Sequence, residues 1–403
     1  MSIKVGVGIS KGLDAFRAGS DAAGQAREKT GLTQPDLTLV FSSIVFDQQQ
    51  MLKGVRSVVN DSLLVGCSDA GEITAAGPDK RSVAVLTIKS DTLKCTVGIG
   101  KGISKDARLA GQEAAKQVVR SAKEDRHLFM IMPDGLRGNG VDIIRGAQEM
   151  LGTSFPIVGG SAGDDFLFRE TAQYYNNQVL GDAVPAVLFS GEDISVGIGA
   201  RHGWYPIGKL RRVTRARANV IKEIDSKPAI KIYEEYFDEA VESLSEEPLP
   251  RMTTMYPLGM TVPGEDEYLL RNAFKVDRQG ALICAGEVPE GSEVRLMMGS
   301  DQSIISAAKN AASQALNNMK GSKIEFAILF DSISRKRLLG RRSCLEIEAI
   351  KAILGQEVPL IGFYTYGEQA PLRAEENIGQ SYFHNESIVI IAIGEKNERA
   401  ITG

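Results

Sequence analysis

The sequence predicts an α/β protein: two domains whose mixed, largely parallel sheets are covered by helices and built from an internal repeat of strand, helix, strand and glycine turn. Three observations carry that prediction. Short continuous apolar runs recur at Leu37 to Phe41, Leu128 to Met132 and Phe326 to Phe330, as strands buried on both faces require. Each is followed by a helix-like stretch and a second apolar run that ends in glycine and a carboxylate. The chain has 403 residues, and single compact domains usually hold roughly 100 to 200.

The first copy runs from Leu37 through a helix at Gln49 to Val59 and reaches Gly66-Cys67-Ser68-Asp69-Ala70-Gly71-Glu72. The second runs from Leu128 through Val141 to Leu151 and reaches Gly159-Gly160-Ser161-Ala162-Gly163-Asp164-Asp165. The third runs from Phe326 through Cys344 to Leu354 and reaches Gly362-Phe363-Tyr364-Thr365-Tyr366-Gly367-Glu368. Another apolar run follows each turn: Val83 to Ile88, Ala186 to Phe189 and Ser387 to Ile393. The first two copies continue alike, Thr96-Val97-Gly98-Ile99-Gly100 echoing Ser195-Val196-Gly197-Ile198-Gly199, which points to a duplication within the N-terminal half.

Residues 204 to 320 differ in texture. An Arg-rich strand is expected at Leu210 to Val220, and a helix from Pro228 to Val241, since proline suits a first helical position. A Pro/Gly-rich meander follows from Glu247 to Gly264, then short strands to Leu296 and an alanine-rich helix from Ile304 to Met319. The expected division is 1–210 and 211–403, with the boundary between Gly203 and Val220.

Composition narrows the function. A formal net charge of -4 supplies no positive field for nucleic acid. Apolar runs such as Ile388 to Ile393 fall well short of the ~20 residues of a membrane span, and MSIKVGVGIS reads as a strand rather than a signal peptide. Cys67, Cys95, Cys284 and Cys344 are far apart, as in a reducing compartment, so a cytoplasmic protein is expected.

The glycine turns are the candidate ligand site, because ligands of α/β sheets bind beyond the carboxyl ends of parallel strands. Cys67, Ser68, Asp69 and Glu72, then Gly160, Ser161, Asp164 and Asp165, then Tyr364, Tyr366 and Glu368 offer donors, acceptors and negative charge suited to an ammonium or several hydroxyls. The plainer explanation is that these residues cap strands and helices. Gly203 to Lys209 has P-loop spacing, but Leu210 replaces the Mg²⁺-binding hydroxyl and Trp204, Tyr205 and Pro206 crowd the loop. Gly6-Val7-Gly8 lacks the full dinucleotide fingerprint. The basic runs Lys209 to Arg217 and Arg335-Lys336-Arg337 with Arg341-Arg342 read as solvated faces. His127, His202 and His384 share no metal-ligand spacing, although a single axial histidine for haem needs none. Chemistry by Cys67 or by the Asp164/Asp165 pair is the weakest reading; no base stands near Cys67 in sequence, and a non-enzymatic protein is expected.

With these residues in view, the chain resembles the FIST family of sensory input modules. The resemblance rests on Gly66 to Ile73, Pro156 to Asp164, Gly203-Trp204 with Pro206-Ile207-Gly208, Asp225 to Ala229, Tyr256 to Gly259, Gly362 to Glu368 and His384 to Ser387. Where family members often carry a cysteine after the strand opening the last repeat, this chain has Asp331-Ser332. The resemblance implies a sensor of a small ligand, amino acids or their derivatives being the suggested class. It also implies coupling to a separate histidine kinase or cyclic-di-GMP enzyme; a homodimer is a separate expectation. Some stand-alone members look like haem-binding nitric-oxide sensors acting on a histidine kinase. That makes haem the alternative ligand and His202 and His384 its axial candidates.

Overall fold

A computed structural model describes residues 3–31, 34–122, 125–237, 248–265, 267–372 and 379–396. Three units of one connectivity build it: an opening strand, a helix, an inner strand, a second helix, a third strand, an arm hairpin and a closing strand. The first unit uses Lys4–Ser10, Ala15–Lys29, Leu37–Ser43, Gln48–Val59, Leu63–Asp69, the arm Glu72–Thr74 with Gly77–Pro78, and Val83–Lys89. The second uses Lys94–Lys101, Ala107–Ser121, Arg126–Ile131, Gly140–Leu151, Ile157–Gly160, the arm Gln173–Tyr175 with Gln178–Leu180, and Ala183–Ser190. The third uses Ile194–Arg201, Asp301–Asn318, Lys323–Ser332, Ser343–Leu354, Leu360–Thr365, the arm Glu368–Pro371 with Ser381–His384, and Ile388–Glu395.

Each unit forms a sheet in the order opening, closing, inner, third, and then receives the arm of another unit. The second unit's arm pairs with Leu63–Asp69, the third unit's arm with Ile157–Gly160, and the first unit's arm with Leu360–Thr365. The exchange is cyclic and closes a ring. The expected parallel pairs are there, inner against third strand in every sheet, flanked by antiparallel partners.

Apolar alternation places one face of every sheet toward the centre. Leu39, Phe41, Val65, Met130, Val158, Val187, Ile328, Phe330, Ile361 and Ile391 form one buried cluster there. The helices cover the outer faces and start at side-chain caps: Asp14 accepts from the Arg17 N–H, Asp47 from Gln50, Asp106 from Leu109, and Ser300 makes a capping box with Ser303. The first helix of each unit presents alanines to its opening strand, where the chain approaches so closely that only glycine fits. A Cβ on Gly8, Gly100 or Gly199 would lie 2.1, 1.9 or 1.9 Å from the carbonyl oxygen of Ala22, Ala110 or Ala311. Gly6-Val7-Gly8 is thus a helix-packing device used three times.

Pairing also shows where the third unit begins. Ser195 to Gly199 belongs to its opening strand, hydrogen-bonded to Ile388–Glu395, rather than continuing the second copy. Residues 204–300 are inserted between this strand and its helix. They form a nine-stranded antiparallel sheet over a separate core that includes Val213, Ile221, Tyr233, Leu258, Leu282 and Leu296. Two expectations change here. Pro228 closes a two-residue strand and the helix runs Lys231–Phe237; the expected part from 238 to 241 lies outside the described residues. The expected meander holds a helix, Pro248–Met255, whose amide Tyr256 N–H still bonds back to Met252. The division into 1–210 and 211–403 is a proposal about sequence organisation; in three sheets, strands from before and after residue 210 pair with one another. No helix among the described residues is long and apolar enough to cross a membrane.

Candidate functional site

The three glycine turns meet at one end of the ring and are knitted together by backbone hydrogen bonds. Gly163 N–H donates to Ser68 O (3.0 Å), Asp165 N–H to Asp69 O (3.1 Å), Ala70 N–H to Tyr364 O (3.1 Å), Ser161 N–H to Gly367 O (2.8 Å) and Tyr366 N–H to Ser161 O (3.1 Å). Every turn touches both others. Cys67, Ser68, Asp69, Glu72, Gly160, Ser161, Asp164, Tyr364 and Glu368 are buried, and Tyr366 is half-buried.

Strand register, not local sequence, decides which residues are equivalent. Glu72 faces Phe363, Gln173 faces Cys67 and Glu368 faces Gly160, each one step from the strand glycine. Glu72, Gln173 and Glu368 therefore occupy one position in the three units. Glu72 accepts from Ser82 N–H (3.2 Å) and its hydroxyl (2.5 Å), and burial pushes its carboxyl up to about 7. Glu368 accepts from Ser387 N–H (3.0 Å) and the Thr365 hydroxyl, and burial pushes it up to about 8.

Asp164 does different work. It accepts from the N–H groups of Phe168 (2.9 Å), Arg169 (2.6 Å) and Glu170 (3.1 Å) and from the Tyr366 hydroxyl (2.6 Å). That pins a loop, 165–170, over the turns. Asp165, Phe166 and Phe168 have φ of 54°, 67° and 52°, the left-handed region that costs side-chain-bearing residues about 1 kcal/mol or more each. Phe168 stacks on Tyr366 with ring centroids 5.0 Å apart, while Phe166, Leu167 and Phe168 stay exposed.

Beneath this loop, Asp69 accepts from Gly71 N–H (2.8 Å) through Oδ1, and its fully buried Oδ2 has no hydrogen-bond partner. Burial first, then the neighbouring Glu72, hold its carboxyl well above the usual range. Lys336 Nζ reaches the Ala70 carbonyl (2.9 Å) and lies 4.4 Å above the Tyr364 ring. Burial lowers its ammonium's pKa, and Asp69, Glu72 and Asp165 oppose that. Ser68 donates to Gly163 O (2.7 Å) and accepts from Ala172 N–H (2.9 Å), and Ser161 accepts from Gln369 (3.0 Å). Cys67 faces the core, where burial and then Asp69 push its thiol up.

Sequence reasoning misplaces one segment. Arg335, read as part of a solvated face, is fully buried. Its Nε lies 2.9 Å from Asp331 Oδ1, and it also contacts Glu346 and donates to Ile304 O (3.0 Å) and His202 O. The available signal is the i, i+4 spacing of Asp331 and Arg335. Asp69, Glu72, Asp331, Glu346, Glu368 and Glu386 are all buried, with Arg335 and Lys336 the cations among them. So much negative charge out of water keeps several of these carboxyls protonated.

His202 and His384 come together in the seam between ring and insertion, near Glu267. His202 Nδ1 accepts from Trp204 N–H (2.9 Å) and its Nε2 lies 3.0 Å from Glu267. His384 Nε2 contacts Ala370 O (3.0 Å) and Nδ1 the Ser387 hydroxyl (3.4 Å), and burial lowers it to about 4. Both rings are buried and held against Trp204, Glu267, Ala370 and Ser387, so these histidines do not fit axial ligation of haem. Among the described residues no group of three or more His, Cys, Asp or Glu is arranged to hold a metal ion. All four cysteines are free.

Among solved structures, a cyanuric acid hydrolase from A. caulinodans aligns over 98% of this chain and 100% of its own, at 9% identity and TM-score 0.36. A chorismatase aligns over 98% and 99%, at 7% identity and TM-score 0.36. Both of these neighbours are enzymes, which goes against the expectation of a non-enzymatic protein. At that TM-score they transfer neither reaction nor substrate. An uncharacterized protein of Mycobacterium tuberculosis is 24% identical over 383 residues, covering 92% of this chain and 95% of its own. A Methanocaldococcus jannaschii protein is 25% identical over 201 residues, 47% of this chain and 38% of its own. The FIST N domain matches residues 36–227 and the FIST C domain residues 229–371. With both domains matched in order along most of its length, the chain belongs to the FIST family, whose domains are sensory, ligand-binding modules of signalling proteins.

Proposed function

We propose that this protein senses a small amine-bearing metabolite, amino-acid-like in class, at the meeting of the three turns, and passes the signal to a separate partner such as a histidine kinase or cyclic-di-GMP enzyme. The observation that carries the ligand class is Asp69: a fully buried carboxylate oxygen without a partner, among further buried carboxyls. An unmet acceptor of this kind costs about 1–3 kcal/mol, and an ammonium group would satisfy it. Entry requires the 165–170 loop to lift, and the strain stored at Asp165, Phe166 and Phe168 lowers the cost of lifting it. The choice of partner rests on family membership.

The test is a thermal-shift screen of the full chain against amino acids and simple amines. A ligand at roughly 100 times its dissociation constant adds about 2.7 kcal/mol to stability. Asp69→Asn, which keeps size and removes the ionisable carboxyl, is expected to abolish the shift while leaving the unliganded protein folded. A shift that persists in Asp69→Asn places the ligand elsewhere.

A further inference from the structure

The ends of the strands opposite the turns carry a second feature. A notch lies between the second unit's inner strand and the third unit's opening strand, and parallel register puts Asp36, His127 and Glu325 at one equivalent position in the three units. In two of them the carboxylate pairs with a lysine: Asp36 with Lys89 (2.7 Å) and Glu325 with Lys323 (2.8 Å). In the middle unit the acid is replaced by His127, whose Nε2 contacts Gly191 O (2.5 Å). This notch opens into a cleft of about 720 Å³, a size typical of small-molecule sites.

Its chemistry runs against that of the chain. Although the protein's net charge is -4, no lining residue is acidic, and Arg126, Lys320 and Lys396 all border the cleft. None of the three has a carboxylate partner among the described residues. Arg126 is poised 5.9 Å over the Phe155 ring, Lys396 Nζ donates to the Glu192 carbonyl (2.5 Å), and Ser154 adds a hydroxyl. One carboxylate would leave two of these cations unneutralised, whereas phosphate concentrates two or more charges on one group and matches the guanidinium fork.

We propose that this notch is a binding site for a phosphate-bearing organic molecule, its phosphates on Arg126, Lys320 and Lys396 and its apolar part against Phe155 and Pro156. The site is independent of the turn cluster and joins the second unit to the third.

The experiment is calorimetric titration of the full chain at low ionic strength with pyrophosphate, ATP and adenosine. Pyrophosphate and ATP are expected to bind, ATP the tighter, with affinity falling as salt is raised; adenosine is expected not to bind. Arg126→Ala should weaken ATP at least tenfold, and Lys320→Ala and Lys396→Ala several-fold each. Lys101→Ala, an exposed lysine at the far end of the same ring, should change nothing. All three cations are exposed, so the variants are expected to keep the parent melting temperature. The proposal is overturned if no probe binds, if adenosine binds as well as ATP, or if the triple alanine variant binds like the parent.

Discussion

The two ends of the ring are opposite in sign and in access. At the turn end, carboxyls lie buried under a pinned loop around one arginine and one lysine; at the other, three exposed cations border an open cleft. Both arise from one repeated unit. The positions that build the repeat are small or apolar and agree, as with Gly8, Gly100 and Gly199 against Ala22, Ala110 and Ala311. The polar positions disagree: Glu72, Gln173 and Glu368 at one end, Asp36, His127 and Glu325 at the other. Packing constrains the first set in every unit, and the second is free to diverge toward function.

The contrast is broken most severely at Arg335. Replacing it with leucine strands Asp331 and Glu346 in the interior, and losing one partner of a buried ion group costs about 3–5 kcal/mol. Urea unfolding at pH 8 should show that loss, and it should shrink as pH falls and the Asp331 carboxyl, held well above the usual range by burial and then by Glu346, takes up a proton. Lys396→Ala at the open end is expected to stay within about 0.5 kcal/mol of the parent. Equal small losses at both would mean that the buried cluster does not depend on its cation.

Next in size is the shared scaffold. Gly199→Ala drives a methyl into the Ala311 carbonyl, and overpacking of this kind costs about 1–3 kcal/mol. Gly100→Ala should cost the same, measured by the same unfolding, because the units are equivalent there. A large loss in one and none in the other would show that the repeat is looser than its backbone suggests.

What the sequence discloses follows this division. The three turns are legible because a strand glycine, a tight turn and a carboxylate lie within a few residues. Their place at the carboxyl ends of parallel strands is legible as well; their meeting is not, because it depends on arms exchanged among three separate sheets. The equivalence of Gln173 with Glu72 and Glu368 is not, because Gly163-Asp164 imitates Gly71-Glu72 locally while sheet register places Gln173 there. Nor is the start of the third unit: Ile194–Arg201 pairs with a strand almost two hundred residues later, across an insertion. Arg335 reads as solvated because its burial depends on His202 and Ile304, both distant in sequence.

A pH series sharpens the comparison further. Glu368 is pushed up to about 8 and Glu72 to about 7, both by burial. For an acid raised in the folded state, the native protein holds a proton that the unfolded chain has released. Stability contributed by these sites is therefore present below about pH 4.5, falls as pH rises through the window from there to about 8, and is flat above. Glu368→Gln removes one such group and should flatten the fall. At pH 8.5 the variant is expected to equal or exceed the parent in melting temperature, by an effect of order 1 kcal/mol. A parallel fall in both would assign the pH dependence to other groups.

The smallest effect tests whether the loop over the turns is a cover. Phe166 holds φ at 67° and is well exposed, so its ring contributes little burial to offset backbone strain. Phe166→Gly should stabilise the protein by about 0.5–1 kcal/mol, because glycine adopts that conformation freely. Phe168→Gly relieves similar strain but loses the stacking on Tyr366, so the two contributions should nearly cancel. Both are read from melting temperature. The kinetic consequence separates a cover from a mere connection. If the loop must lift for a ligand to reach Asp69, relaxing it in Phe166→Gly deepens the closed state, and association of whichever amine shifts the melting temperature should slow by the same few-fold factor as the gain in stability. Unchanged association with raised stability would mean that ligands reach the turns by another route, and that the strain at Phe166 serves only to aim the loop's exposed rings at solvent.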